Sequence, residues 1–202
     1  YHIDGFRFDL MGVLDIETLN EARKALLKIN PDIIMYGEGW TGGESTLPES
    51  ERGMKINAPR TPGIGMFSDD IRDAVKGHVF YMDELGFVNG AADRGEELKQ
   101  AVTCAKWAKS PMQSINYLSC HDNYTLWDRF IISNSHESEE MRIRMNKLAA
   151  AILFTAQGIP FFLHGEEFAR TKISEADGAP VENSYCSPLS VNAIDYDRAE
   201  QF

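Results

Sequence analysis

Three short stretches of the chain carry acids where chemistry could use them. "GFRFDLMG" holds Arg7 and Asp9 two residues apart among apolar side chains. In a strand, residues two apart share a face, so a cation and a carboxylate stand side by side. "YGEGW" ends a second apolar run at Glu38, and "SINYLSCHDN" ends a third at His121 and Asp122. Each carboxylate therefore falls at the C-terminal end of a strand-like segment. Three acids converging from different strand ends suit sugar chemistry. One attacks the anomeric carbon, one protonates the leaving oxygen, and one grips the distorted ring. An attacking carboxylate must be ionised, and burial or a second acid nearby opposes that. Arg7 is expected to keep Asp9 charged and aimed. Glu38, as the acid, is expected to hold a proton, helped by the apolar neighbour Trp40 and the nearby negative charge.

The elements needed to position these groups follow from the pattern. Apolar residues at Ile16, Leu19, Ala22, Leu26 and Ile29 have helical spacing, and Asn30-Pro31 closes that helix. Thr41 to Gly65 reads as a long loop. "GMFSDDIRDAVKG" reads as a short strand running into a helix started by Ser68 or Asp69. Gly95 to Lys109 reads as helical, and Ser138 to Gln157 as a long helix stopped at Gly158. "IPFFLHGEEF" is a further strand, and Arg170 to Phe202 has no strong period. Strand alternating with helix predicts an α/β fold with a parallel sheet, its strands apolar on both faces. Carboxylates gathered at strand ends suit a β/α barrel, which builds its site there.

Bulk properties narrow the field. The chain has 202 residues, enough for one sizeable domain. Its net charge of −11 argues against nucleic acid and anionic membranes as partners. No apolar run approaches the roughly 20 residues that span a bilayer. The three cysteines, Cys104, Cys120 and Cys186, have no C-x-x-C spacing, which argues against a zinc site. An odd, low cysteine count points weakly to a reducing, cytoplasmic compartment, though a secreted enzyme fits too. No nucleotide-binding glycine motif occurs. The opening residues already read as core strand, so the chain is expected to be a piece of something longer.

With these residues in view, "GFRFDLMG", "YGEGW" and "YLSCHDNYTLWD" resemble the second, third and fourth signature regions of the α-amylase superfamily, glycoside hydrolase family 13. The forms "FDLMG", "GEGW" and "HDN-x-TLWD" together resemble type I pullulanases, the starch-debranching enzymes. "GIPFFLHGEEFARTK" and "ENSYCSPLSVNAIDY" resemble the stretch around that barrel's last strand. The resemblance implies a partial (β/α)8 barrel, strands four to eight, over residues 1–202. It implies retaining hydrolysis of α-1,6-glucosidic branch points in pullulan, starch or glycogen. Asp9 would be the nucleophile, Glu38 the general acid/base and Asp122 the transition-state stabiliser. Arg7 and His121 would flank the cleaved sugar; Trp40, Asn123, Asn183 and Tyr185 would line the cleft. The partner is an α-glucan. No organic cofactor or catalytic metal is implied; structural calcium is common in the superfamily, with no ligands evident here. Other α-glucan hydrolases or transglycosidases stay open, as does an inactive carbohydrate-binding fragment. Three further readings are structural. Arg7 and Asp9 could be a buried ion pair, Glu166 and Glu167 read as framework or outer-cleft residues, and Met141 and Met145 read as core.

Overall fold

Five strands and six helices order the chain in this computed structural model, which describes His2–Phe202. The strands are β1 (Gly5–Phe8), β2 (Ile34–Gly37), β3 (Gly65–Ser68), β4 (Ser114–Asn116) and β5 (Ile159–Pro160). The helices are α1 (Ile16–Leu27), α2 (Asp69–Lys76), α3 (Gly95–Val102), α4 (Leu126–Ser133), α5 (Glu139–Thr155) and α6 (Leu189–Asn192). The strands form one sheet in chain order, β1-β2-β3-β4-β5. β1 pairs parallel with β2, Arg7 opposite Tyr36 and Phe8 opposite Gly37, and β2 pairs parallel with β3.

The chain divides into two compact units. The first contains the residues up to Ser68, Cys104–Ile115 and Gln157–Ile159; the second contains Asp69–Thr103, Asn116–Ala156 and Pro160–Phe202. In the first unit Met11, Leu19, Met35, Ala58, Ile64 and Met66 form the core, with Phe8, Leu14 and Trp107 packed on it. In the second, Ile71, Val75, Leu118, Leu126, Phe130, Ala149 and Leu153 do so, with Phe87 and Phe162 against them.

Local signals explain most of the helices. The Asp15 carboxylate caps α1, accepting from the Thr18 amide at 2.7 Å. The Ser138 hydroxyl caps α5 by accepting from the Met141 amide at 3.2 Å. Met145 is buried as expected, whereas Met141 on the same helix is 38 % exposed. Several expected elements are shorter. α3 ends at Val102, not Lys109, and the strand in "IPFFLHGEEF" stops after Pro160, although the Phe161 amide still donates to the Asn116 carbonyl at 2.7 Å. The strands are also not uniformly buried. β3 and β4 are sealed, but β1 is half-buried throughout and Ile34 is half exposed. β1 pairs on one side only among the described residues, which leaves it at an edge. α4 was not expected from the sequence and is capped by Thr125, whose hydroxyl accepts from the Asp128 amide. Among the described residues, no helix is long and apolar enough to cross a membrane.

Candidate active site

In the first unit, Asp9 follows β1 directly and Glu38 follows β2 directly. Parallel pairing in register, continued by the Glu38 amide donating to the Phe8 carbonyl at 3.0 Å, makes the two acids neighbours. Gly37 permits this approach. A Cβ there would lie 2.5 Å from the Phe8 carbonyl oxygen, inside any tolerable contact.

Arg7 bridges the two carboxylates. One guanidinium nitrogen bonds Asp9 Oδ1, and the other bonds Glu38 Oε1 at 2.5 Å. A carboxylate oxygen of Asp9 lies within 4.8 Å of one from Glu38. The guanidinium also sits 5.6 Å over the Phe67 ring from β3, and Phe67 meets Tyr36 edge-on at 5.7 Å. Burial works to lower the Arg7 pKa. The hydrogen bond to Asp9 and the charges of Glu38 and Asp9 outweigh it and hold the cation above its usual range. The expectation reserved Arg7 for Asp9; the fork serves both acids, because guanidinium geometry matches two carboxylates at once.

The acids differ in access. Asp9 is 63 % exposed and Glu38 only 2 %. Glu38 Oε2 accepts from the Leu10 amide at 2.7 Å. Leu10 itself is left-handed, φ 42°, ψ 48°, which turns the chain just after that amide. For a bulky residue this conformation costs about 1–2 kcal/mol. No sequence signal marks the Leu10 amide, since a left-handed leucine has no composition signature. The Gly12 amide donates to the Glu38 and Trp40 carbonyls at 3.3 and 3.1 Å, tying the two post-strand loops together. Trp40 is partly exposed, with the Lys55 ammonium 5.6 Å over its ring.

The remaining candidates belong to the second unit. His121 Nε2 lies 3.5 Å from Asp122 Oδ1, and both side chains are partly open to solvent. Tyr185, 60 % exposed, meets the His121 ring edge-on at 6.2 Å. The Asn123 amide donates to Asn183 Oδ1 at 2.7 Å. Both asparagines are left-handed, φ 58° and 50°, a conformation asparagine tolerates well. The distant stretch around Asn183 and Tyr185 is thus joined to the His121–Asn123 stretch.

Reasoning from sequence missed Lys76, which is 2 % exposed, and read Glu166, 3 % exposed, as framework or outer cleft. Burial lowers the Lys76 pKa to about 8 and raises that of Glu166 to about 7; the opposite charge of each partner acts against both shifts.

A parallel α/β sheet with Asp9 and Glu38 just past two of its strand ends is the class of arrangement in which β/α barrels place their sites, at the carboxyl side of the sheet. The chain is homologous to the pullulanases. It is 41 % identical to the pullulanase of Bacillus subtilis over its whole length, which is 28 % of that protein. Against the crystal structure of pullulanase from Anoxybacillus sp. LM18-11 complexed with maltotriose it gives a TM-score of 0.92 at 46 % identity, covering 98 % of this chain and 28 % of that one. Against pullulanase from Paenibacillus barengoltzii in complex with maltohexaose and α-cyclodextrin the TM-score is 0.90 at 47 % identity, covering 100 % and 31 %. No family model matches the chain. It spans under a third of these relatives.

Proposed function

We propose that this chain supplies strands four to eight of the catalytic barrel of an α-glucan debranching hydrolase. The reaction is cleavage of α-1,6-glucosidic branch linkages with retention of configuration. The observation that carries the reading is the approach of Asp9 and Glu38, with oxygens within 4.8 Å and one guanidinium on both. Retaining glycosidases hold their two carboxyls about 5–5.5 Å apart, whereas inverting ones need about 6.5–9.5 Å to admit a water.

Asp9, the more open acid, attacks the anomeric carbon as the glycosidic bond breaks. Glu38 gives its proton to the departing oxygen. The resulting glycosyl ester on Asp9 is hydrolysed by water that Glu38 deprotonates, which restores both residues. Asp122 takes the role the family gives it, gripping sugar hydroxyls in the transition state. Arg7 and His121 flank the sugar, and Trp40, Asn123, Asn183 and Tyr185 contact flanking glucose units. The ligand is an α-glucan, in keeping with the maltooligosaccharides in the titles of similar structures. The 202-residue chain alone is proposed to be inactive, since a β/α barrel works as one closed hydrogen-bonded unit.

The test uses the full-length protein that carries this chain. Asp9→Asn is expected to abolish turnover on branched glucan and on a glycosyl fluoride alike. Glu38→Gln is expected to lose about 10²- to 10⁴-fold on glucan and to recover much of the first step with the fluoride, whose departure needs little protonation. Equal rescue of both variants would overturn the two assignments. Product analysis on pullulan separates α-1,6 from α-1,4 cleavage.

A further inference from the structure

Three consecutive residues of the second unit bring a sulfur, an imidazole nitrogen and a carboxylate oxygen to one point. In Cys120, His121 and Asp122, one donor atom from each lies within 4.8 Å of the other two. His121 Nε2 and Asp122 Oδ1 are already 3.5 Å apart. Two ligands on a tetrahedral zinc, with bonds of about 2 Å, stand about 3.3 Å from each other. The Cys120 sulfur lies 3.9 Å from the Asp122 carbonyl oxygen, so it is folded toward Asp122. Side-chain exposures of 43 % for His121 and 35 % for Asp122 give an ion a route from solvent without opening the core.

The donor set selects the ion. Calcium and magnesium take oxygen ligands, while thiolate with imidazole suits zinc and its borderline-soft neighbours. One thiolate and one carboxylate neutralise a divalent ion, and neutral imidazole completes three protein ligands. The fourth position is left to water, as in open zinc sites. The missing C-x-x-C spacing does not bear on this arrangement, because the ligands are adjacent and of three kinds.

We infer that Cys120, His121 and Asp122 form a solvent-open zinc-binding site, and that an ion bound there withdraws His121 and Asp122 from any other partner. That zinc would thereby inhibit glucan cleavage rests on the function proposed above. Zinc binding itself does not.

The test is a titration of the full-length protein with Co²⁺ and then Zn²⁺, without glucan. The expected result is a thiolate-to-cobalt charge-transfer band in the near ultraviolet that Zn²⁺ abolishes and excess Ca²⁺ leaves in place. Cys120→Ser and His121→Gln should each weaken Zn²⁺ binding by at least about tenfold, since even outer-shell changes cost that much. Cys186→Ser, an exposed cysteine outside the cluster, should bind Zn²⁺ like the parent. A parent protein without the band overturns the inference, as does a Cys120→Ser protein with undiminished Zn²⁺ affinity. If Cys120→Ser does not fold, the parent's band and His121→Gln decide. A protein that fails to cleave glucan but shows the band keeps the zinc site and loses only the proposed function.

Discussion

Arg7 in the first unit is a cation between two acids, and Lys76 in the second is a buried cation with one acid, Glu166, and two arginines, Arg72 and Arg129, acting on it. Arg7 keeps 26 % of its side chain in solvent and divides its fork between an open acid and a closed one. Its neighbours hold it charged against the effect of burial. Lys76 is sealed, as is Glu166. Burial drives the lysine down to about 8, Arg72 pushing the same way, and drives the glutamate up to about 7. A guanidinium that keeps part of its surface in water can share its bonds with an arriving ligand. An ammonium and carboxyl closed off from water cannot make that exchange. The first arrangement is open to a ligand and the second is closed to one.

Arg7→Lys tests the first half of that contrast. Lysine keeps the charge but has no planar fork to bind Asp9 and Glu38 together. A misplacement of about 1 Å at a reacting group costs on the order of a hundredfold, and a loss of that size in kcat is expected of the full-length protein. Its melting temperature should change little. A near-parental kcat would make Arg7 a structural partner only.

The second half is tested by stability. Lys76→Met alone removes the opposite charge that acts on Glu166 and is expected to cost about 1–3 kcal/mol in chemical unfolding near pH 8. The double variant Lys76→Met with Glu166→Gln should recover most of that loss. A double variant as unstable as the single one would show that the two do not act as a pair. The pH dependence has a defined sign. Glu166 ionises at its ordinary 4.5 when unfolded but holds its proton to about 7 when folded. Its contribution is therefore fully present below 4.5 and is lost as pH rises through 7. Lys76 holds its proton to 10.5 unfolded and to about 8 folded, so its contribution is present above 10.5 and lost as pH falls through 8. The parent should lose stability between about pH 4.5 and 7 relative to the double variant.

The same contrast marks how far the sequence could be read. The Arg7–Asp9 pair and the approach of Glu38 were legible from a period of two along β1 and parallel pairing of β1 with β2, whereas the bond from Arg7 to Glu38 was not. The α/β alternation was legible, α1 through its apolar spacing and α5 as a long helix before Gly158. Lys76 was not, because a lysine before Gly77 at a helix end reads as a solvated stop. It is buried by a distant stretch: the Phe87 and Val88 amides donate to the Ala74 and Val75 carbonyls and cover the end of α2. Arg129 then donates to the Tyr81 and Glu84 carbonyls over that stretch. No local pattern announces such a cover. α4 did have a signal, Thr125 three residues before Asp128 at the start of an apolar run, hidden inside a stretch read for its motif.

Asn183 offers the finest distinction. It holds the Asn123 amide at 2.7 Å while itself left-handed at φ 50°, so two effects are superposed at one residue. Asn183→Gly keeps the backbone freedom and removes only the side-chain acceptor, a loss of about 0.5–1.5 kcal/mol. Asn183→Ala removes the acceptor and also forces a Cβ residue to stay left-handed, adding about 1 kcal/mol. The expected order of stability is parent, then glycine, then alanine. If His121–Asn123 is aligned from Asn183, KM for glucan should rise in the glycine variant, with kcat changed less than by Arg7→Lys. An alanine variant as stable as the glycine one would mean the loop relaxes its backbone freely. The asparagine would then serve its hydrogen bond alone.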